Sequence, residues 1–310
     1  MSSGQTMLSI PLGRMLLFGV VLVAAGCSAK PPVPPAPARS AALVANRQGV
    51  AAESKGELER ASAAFAEARL RYAAIEDSPG LATAELNLAR VERRLGRLPT
   101  AQGAVDRALI AASPVSDLYA EALFEKALLL RVQGDGVAAV VYAERALNAA
   151  SAARRGRARN FLARLALERG EPELAATLAS AALKENQGLA ERRELANSWR
   201  FLGASALMLQ DSARAIEGYS QALALDKELA LSSRIADDLT GLARSAMLDG
   251  QSVAACDYLR RAYEVSVSNG DRSRAAQLLQ DLVELLRQQG LSAEAVLLQQ
   301  KRAVLLDQQN

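Results

Sequence analysis

A column of alanines constrains this chain more than any other feature. Ala61, Ala101, Ala139, Ala175, Ala215, Ala255 and Ala295 follow one another at steps of 40, 38, 36, 40, 40 and 40 residues. Seven residues further on stand Ala68, Ala108, Ala146, Ala182, Ala222 and Ala262, with Arg302 in the last place. Five residues before the first column stand Gly56, Gly96, Gly134, Gly170, Gly250 and Gly290, with Gln210 as the exception. A spacing of seven is two helical turns, so each alanine pair lies on one face of a helix, where small side chains let a second helix approach closely. Glycine just ahead of that helix suits a chain that must end one helix and reverse, because glycine enters the left-handed region at little cost. The pattern predicts seven helix–turn–helix units, starting at Ala42, Ala82, Ala120, Gly156, Ala196, Ala236 and Ala276. One hairpin cannot bury its apolar face alone, so the units must stack.

The fifth unit shows the internal pattern most fully. Trp199, Leu202, Gly203, Ala215, Tyr219 and Ala222 occupy its positions 4, 7, 8, 20, 24 and 27. In these residues the segment from Ala196 to Lys227 resembles the tetratricopeptide repeat. The resemblance implies an all-α fold, a right-handed α-solenoid of about seven tetratricopeptide-type hairpins over residues 42–310. Composition agrees: 50% of residues are hydrophobic and only 4% aromatic, which suits helices packed through alanine and leucine. Most units exceed the usual period of about 34 residues, as in the longer repeats of kinesin light chains. The last unit departs from the pattern at Val283, Gln299 and Arg302 and ends in a polar tail, so it is expected to act as a water-facing cap. Pro79 and Pro114 fall between units, and Pro99 and Pro172 near the start of second helices, where proline is tolerated.

Residues 1–27 read as an export signal: a polar, weakly basic start up to Arg14, an apolar run from Met15 to Ala25, then Gly26 and Cys27. The run is shorter than the roughly 20 apolar residues that a membrane span needs. Ala24-Ala25-Gly26-Cys27 resembles the lipobox of bacterial lipoproteins, although that family prefers a larger aliphatic residue where Ala24 stands. The resemblance implies that Cys27 is acylated and becomes the first mature residue. Ser28 stands where an aspartate would signal inner-membrane retention, which implies an address at the periplasmic face of the outer membrane. The alternative is an ordinary secretory signal cut nearby, with Cys27 incidental. Residues 28–41 hold five of the ten prolines and are expected to form an extended tether of up to roughly 40 Å.

Catalytic chemistry has little to work with. The chain contains no histidine, which removes histidine acid–base catalysis, Ser-His-Asp triads and imidazole metal ligands together. Besides Cys27 only Cys256 remains, beside the alanine column, where a small buried core residue is expected. The acidic pairs Asp237-Asp238 and Glu191, Glu194 are expected on solvated helix faces. The reading is of a non-enzyme with no cofactor and no metal. A net charge of +3 does not call for nucleic acid.

What remains is a surface. The family resemblance implies that first helices line a concave groove through positions 2, 5, 9 and 12. These positions hold Arg90, Arg93, Arg131, Arg157, Asn160, Arg164, Arg200 and Arg244, with Phe124 and Leu128 as an apolar patch beside them. Such a stripe suits an acidic segment or a C-terminal carboxylate of a partner, since arginine pairs with carboxylates through two N–H groups. Glu121, Asp237 and Glu284 also occupy groove positions and would neutralise part of it. The function expected is a lipid-anchored periplasmic scaffold that binds envelope proteins, in the manner of pilotins or of adaptors for cell-wall enzymes. The alternative is a binding or sensor protein for a small envelope ligand such as a peptidoglycan fragment.

Overall fold

The computed structural model describes residues 37–187 and 191–307. The signal segment, Cys27 and most of the expected tether lie outside these residues. The described part consists of fourteen α-helices arranged as seven hairpins. They are α1 (Pro37–Ser54), α2 (Leu58–Ala73), α3 (Ser78–Arg94), α4 (Leu98–Ala111), α5 (Asp117–Val132), α6 (Gly136–Ala149), α7 (Ala152–Glu168), α8 (Pro172–Gln187), α9 (Arg192–Met208), α10 (Ser212–Glu228), α11 (Ser232–Leu248), α12 (Ser252–Ser268), α13 (Arg272–Gln288) and α14 (Ser292–Asp307).

Each expected unit is one hairpin. All seven alanines of the first column, from Ala61 to Ala295, are 0% exposed, and the second column from Ala68 to Ala262 is buried as well. The tightest crossing is α9 on α10. A Cβ added to Gly218 would come within 2.5 Å of the backbone nitrogen of Gly203, and one added to Gly203 would meet Tyr219 and the Ala215 carbonyl. Gly218 was not part of the sequence pattern, and it is the residue that lets these two backbones touch.

The turn column also holds. The residue between the two helices has positive φ in every hairpin, including the non-glycine Gln210 at 60°. Five helix starts carry side-chain caps: Asp77, Ser116, Asp135, Asp211 and Asp271 each accept a hydrogen bond from the backbone N–H three residues on. Pro99 and Pro172 lie in first helical turns, as expected, and so does Pro79, which the sequence placed in a connection. Helix α1 begins at Pro37, so residues 37–41, expected as tether, are helical; proline is preorganised for a first helical position. Helix α14 is less polar than a cap should be, burying only Ala295 fully while Val296, Leu297 and Val304 stay exposed.

Odd-numbered helices also touch one another, α3 on α5, α7 on α9 and α9 on α11. Among the described residues no pair of even-numbered helices meets to the same extent, so the odd helices form the crowded inner wall of the stack. Cys256 sits in the core around α11–α13, with Gln289 donating to its sulfur at 3.5 Å, and desolvation pushes its thiol pKa up.

Two substitutions separate the two roles of glycine. Gly218→Ala forces backbone against backbone and should cost about 2 kcal/mol or more. Gly96→Ala meets nothing within 4 Å, so its cost should be the left-handed conformation alone, about 1 kcal/mol. Urea unfolding of both variants checks this, and equal losses would refute the close-approach account of Gly218.

Candidate ligand recess on the inner wall

The arginines expected to form a stripe do lie along the odd helices, and most are already engaged. Arg93 Nε donates to Glu125 at 2.5 Å, and Arg90 pairs with Glu121. Glu121 is shared further, with Arg154 at 3.0 Å and Arg157 at 3.3 Å. Arg131 holds Glu168 at 2.8 Å, and Arg164 reaches the same carboxylate at 3.1 Å. Against the desolvation that works the other way, these two arginines keep the Glu168 carboxyl below its ordinary pKa. Counting the 3.9 Å contact from Arg154 to Asp117, the arginines at 90, 93, 131, 154, 157 and 164 share four carboxylates. The stripe is partly neutralised and keeps a positive excess.

That excess surrounds a recess of about 390 Å³. Helix α5 contributes Phe124 and Leu128; α7 contributes Arg157, Asn160, Phe161 and Arg164. Helix α9 adds Glu194, Asn197 and Phe201, and α11 adds Arg234. Phe124 and Phe161 meet edge to face, 5.4 Å between ring centres, and the Arg157 guanidinium lies 4.2 Å from the centre of the Phe124 ring. Among the described residues Arg164 donates only through Nε and Arg157 only through one terminal nitrogen, so both keep N–H groups for a ligand. Arg234 has a single long contact, 3.8 Å to Asp237, whose carboxylate is taken by Arg274. Desolvation first, and then the positive charge of Arg200, lower the Arg234 pKa.

Five of the ten expected groove residues therefore come together here: Phe124, Leu128, Arg157, Asn160 and Arg164. Asn160 is 2% exposed, and its amide is bound to the Glu194 carbonyl at 2.8 Å and the Ser198 hydroxyl at 2.9 Å, so it joins α7 to α9 as a fixed part of the wall. Arg90, Arg93 and Arg131 lie outside this recess, and Arg244 lines another. The sequence reading missed Phe161 and Phe201, which stand 40 residues apart at position 6 of successive units. That shared position was the available signal.

Arg200 is a correction. It is 7% exposed and does not face an open groove. Its Nε donates to Asp238 at 2.7 Å, and a terminal nitrogen donates to both Asp238 and Asp226. Asp238, expected on a solvated face, is 0% exposed, and Asp226 is 1% exposed. One guanidinium thus faces two buried carboxylates, and it ties α9 to α10 and α11. Removing it would strand both acids at a cost of roughly 3–5 kcal/mol, so its charge cannot be reversed to test binding.

The same cluster makes stability depend on pH. Desolvation, with Arg200 opposing and Asp226 assisting, pushes the Asp238 carboxyl up to about 7. The nearby Tyr219 hydroxyl is pushed up to about 12, chiefly by burial, and Arg234, Asp237 and Arg244 complete the charged surroundings. An unfolded aspartate titrates near about 3.9, so between about pH 4 and 7 the folded chain holds a proton that the unfolded chain has lost. This stabilisation is full below pH 4, falls as pH rises through 7, and amounts to a few kcal/mol. Denaturation at pH 5 and pH 8 should show the loss, and Asp238→Asn should abolish it. A variant with the wild-type pH slope would disprove the assignment.

No family model and no curated protein sequence matches this chain. Solved structures do. A Rap protein complexed with Competence and Sporulation Factor aligns at TM-score 0.63 and 14% identity, over 87% of this chain and 78% of its own. A tetratricopeptide repeat protein from Parabacteroides merdae aligns at 0.53 and 15%, over 84% of this chain and 98% of its own. PilF of Pseudomonas aeruginosa aligns at 0.51 and 20%, over 70% and 99%. At these identities the likeness is one of fold, and it coincides with seven stacked hairpins whose alanines sit at every crossing: the chain has the tetratricopeptide-repeat fold.

Proposed function

We propose that this protein is a non-catalytic scaffold whose inner wall captures an extended segment of a partner protein through an acidic side chain or a C-terminal carboxylate. The observation that carries the reading is the recess at α5, α7, α9 and α11, where Arg157 and Arg164 keep unused N–H donors and Arg234 lacks a close counter-ion. An anion placed there relieves the repulsion that Arg164 exerts on Arg234 and is held by charge-assisted hydrogen bonds, beside the Glu194 carboxylate that Asn160 and Asn197 already hold. Phe124, Phe161 and Phe201 offer contact area to an apolar residue next to that anion. The Rap structure with its bound factor supports the use of this fold for capture.

Cys27 in its lipobox-like context supports a lipid anchor, and Ser28 an address at the periplasmic face of the outer membrane. The anchor would leave the repeats free to work on envelope proteins, in a pilotin-like task or as an adaptor for cell-wall enzymes. A small envelope ligand such as a peptidoglycan fragment is the second reading, and three phenylalanines in one recess of about 390 Å³ favour it more than the sequence did.

Both halves are testable. Arg164→Glu with Arg234→Glu should lower capture of proteins from envelope extracts at least tenfold, with the circular dichroism spectrum unchanged. Undiminished capture would reject the recess. Labelled palmitate should attach to the wild type and not to Cys27→Ser; absence of label on the wild type would reject the anchor.

A further inference from the structure

A second recess, of about 370 Å³, lies further along the same wall between α11 and α13, and its charge balance is opposite. Its floor is apolar: Ala243, Leu259 and Leu285 are buried, and Met247 is half exposed beside them. Asp281 and Glu284 stand on its rim, three residues apart and so on one face of α13, opposite Arg244 on α11. Among the described residues neither carboxylate forms an ion pair. Asp281 accepts from Gln277 at 2.9 Å and Glu284 from Gln288 at 3.3 Å, both neutral amides of the same helix. The contrast with α3, α5 and α7 is plain, since there every carboxylate on the wall is held by arginine.

We propose that this recess binds the side chain of a lysine or arginine in the partner segment. The aliphatic stem lies on Met247 and Leu285, and the cation sits between Asp281 and Glu284, where it relieves the repulsion of like charges one turn apart. Arg244 on the far rim repels the cation and directs it toward α13. The proposal rests on the capture reading above and adds order to it. Arg234 in the first recess and Arg244 in the second are ten residues apart on α11, about 15 Å along its axis. An extended chain covers that distance in about five residues, and the cation subsite lies beyond Arg244 on α13, so the segment carries its basic residue at least about five positions from its anionic group.

Met247 provides a local reporter, since the chain has only five methionines. The full-length chain, labelled with 13C at its methionine methyls, is titrated with acetyl-Leu-Lys-Ala-amide and separately with acetyl-Leu-Glu-Ala-amide. The Met247 resonance, identified by its loss in Met247→Leu, should shift saturably with the lysine peptide and stay in place with the glutamate peptide. Asp281→Asn with Glu284→Gln should weaken the lysine peptide at least tenfold while the melting temperature holds. Equal responses to the two peptides, or an unchanged titration of the double variant, would overturn the site. A Met247 response alongside undiminished capture by the Arg164 and Arg234 variant would support this cation subsite and reject the anion recess, so the two readings fail separately.

Discussion

Everything in this molecule depends on how closely two helices of one hairpin can approach. At α9 and α10 the limit is reached, because Gly203 and Gly218 place backbone on backbone. Elsewhere an alanine at 0% exposure does the same with one methyl group between. Alanine keeps helix propensity high and still permits the approach, which glycine in every crossing would not. With the hairpins this thin, the larger side chains are pushed to the layers between units. Leu123, Leu239 and Leu282 lie in clusters that run from one hairpin into the next, while the Phe65 ring packs on Gly49 within its own hairpin, and the core becomes a series of clusters along the stack. The inner wall inherits its surface from what is left over on the odd helices.

How much of this was legible follows from how local each cause is. The alanine and glycine columns were readable because the same steric demand recurs in every unit, and repetition turns a weak preference into a pattern. Gln210 shows the limit: it adopts the left-handed turn at φ 60° although the residue type gives no hint of it. The buried cluster of Arg200, Asp226 and Asp238 was not readable, since its members come from α9, α10 and α11 and look like any surface charges in the sequence. Their burial is decided by which helix packs beside which. The aromatic floor of the first recess was half readable, with Phe124 at a groove position and Phe161 and Phe201 one residue off the family's columns.

Burying one cation with two acids also shapes the surface above it. Arg200 lies under the wall, and its positive charge is among the reasons that Arg234 is held below its ordinary pKa. Arg234 stays protonated all the same, being far from neutrality at any physiological pH. The result is a guanidinium that is charged, partly desolvated and poorly matched, which is the condition under which an incoming anion gains most.

The pairing along α3, α5 and α7 is often what would count against such a wall as a binding surface, and here it works the other way. A free arginine loses side-chain entropy when it clamps a ligand. Arg157, stacked on Phe124 and tethered to Glu121, has already lost much of it, as has Arg164 tethered to Glu168. Each tether uses one donor group and leaves the others available. Because the arginines on this wall outnumber the carboxylates, the tethers position the cations without cancelling them, and the carboxylates on α13 that lack any arginine then read as the complementary half of one surface.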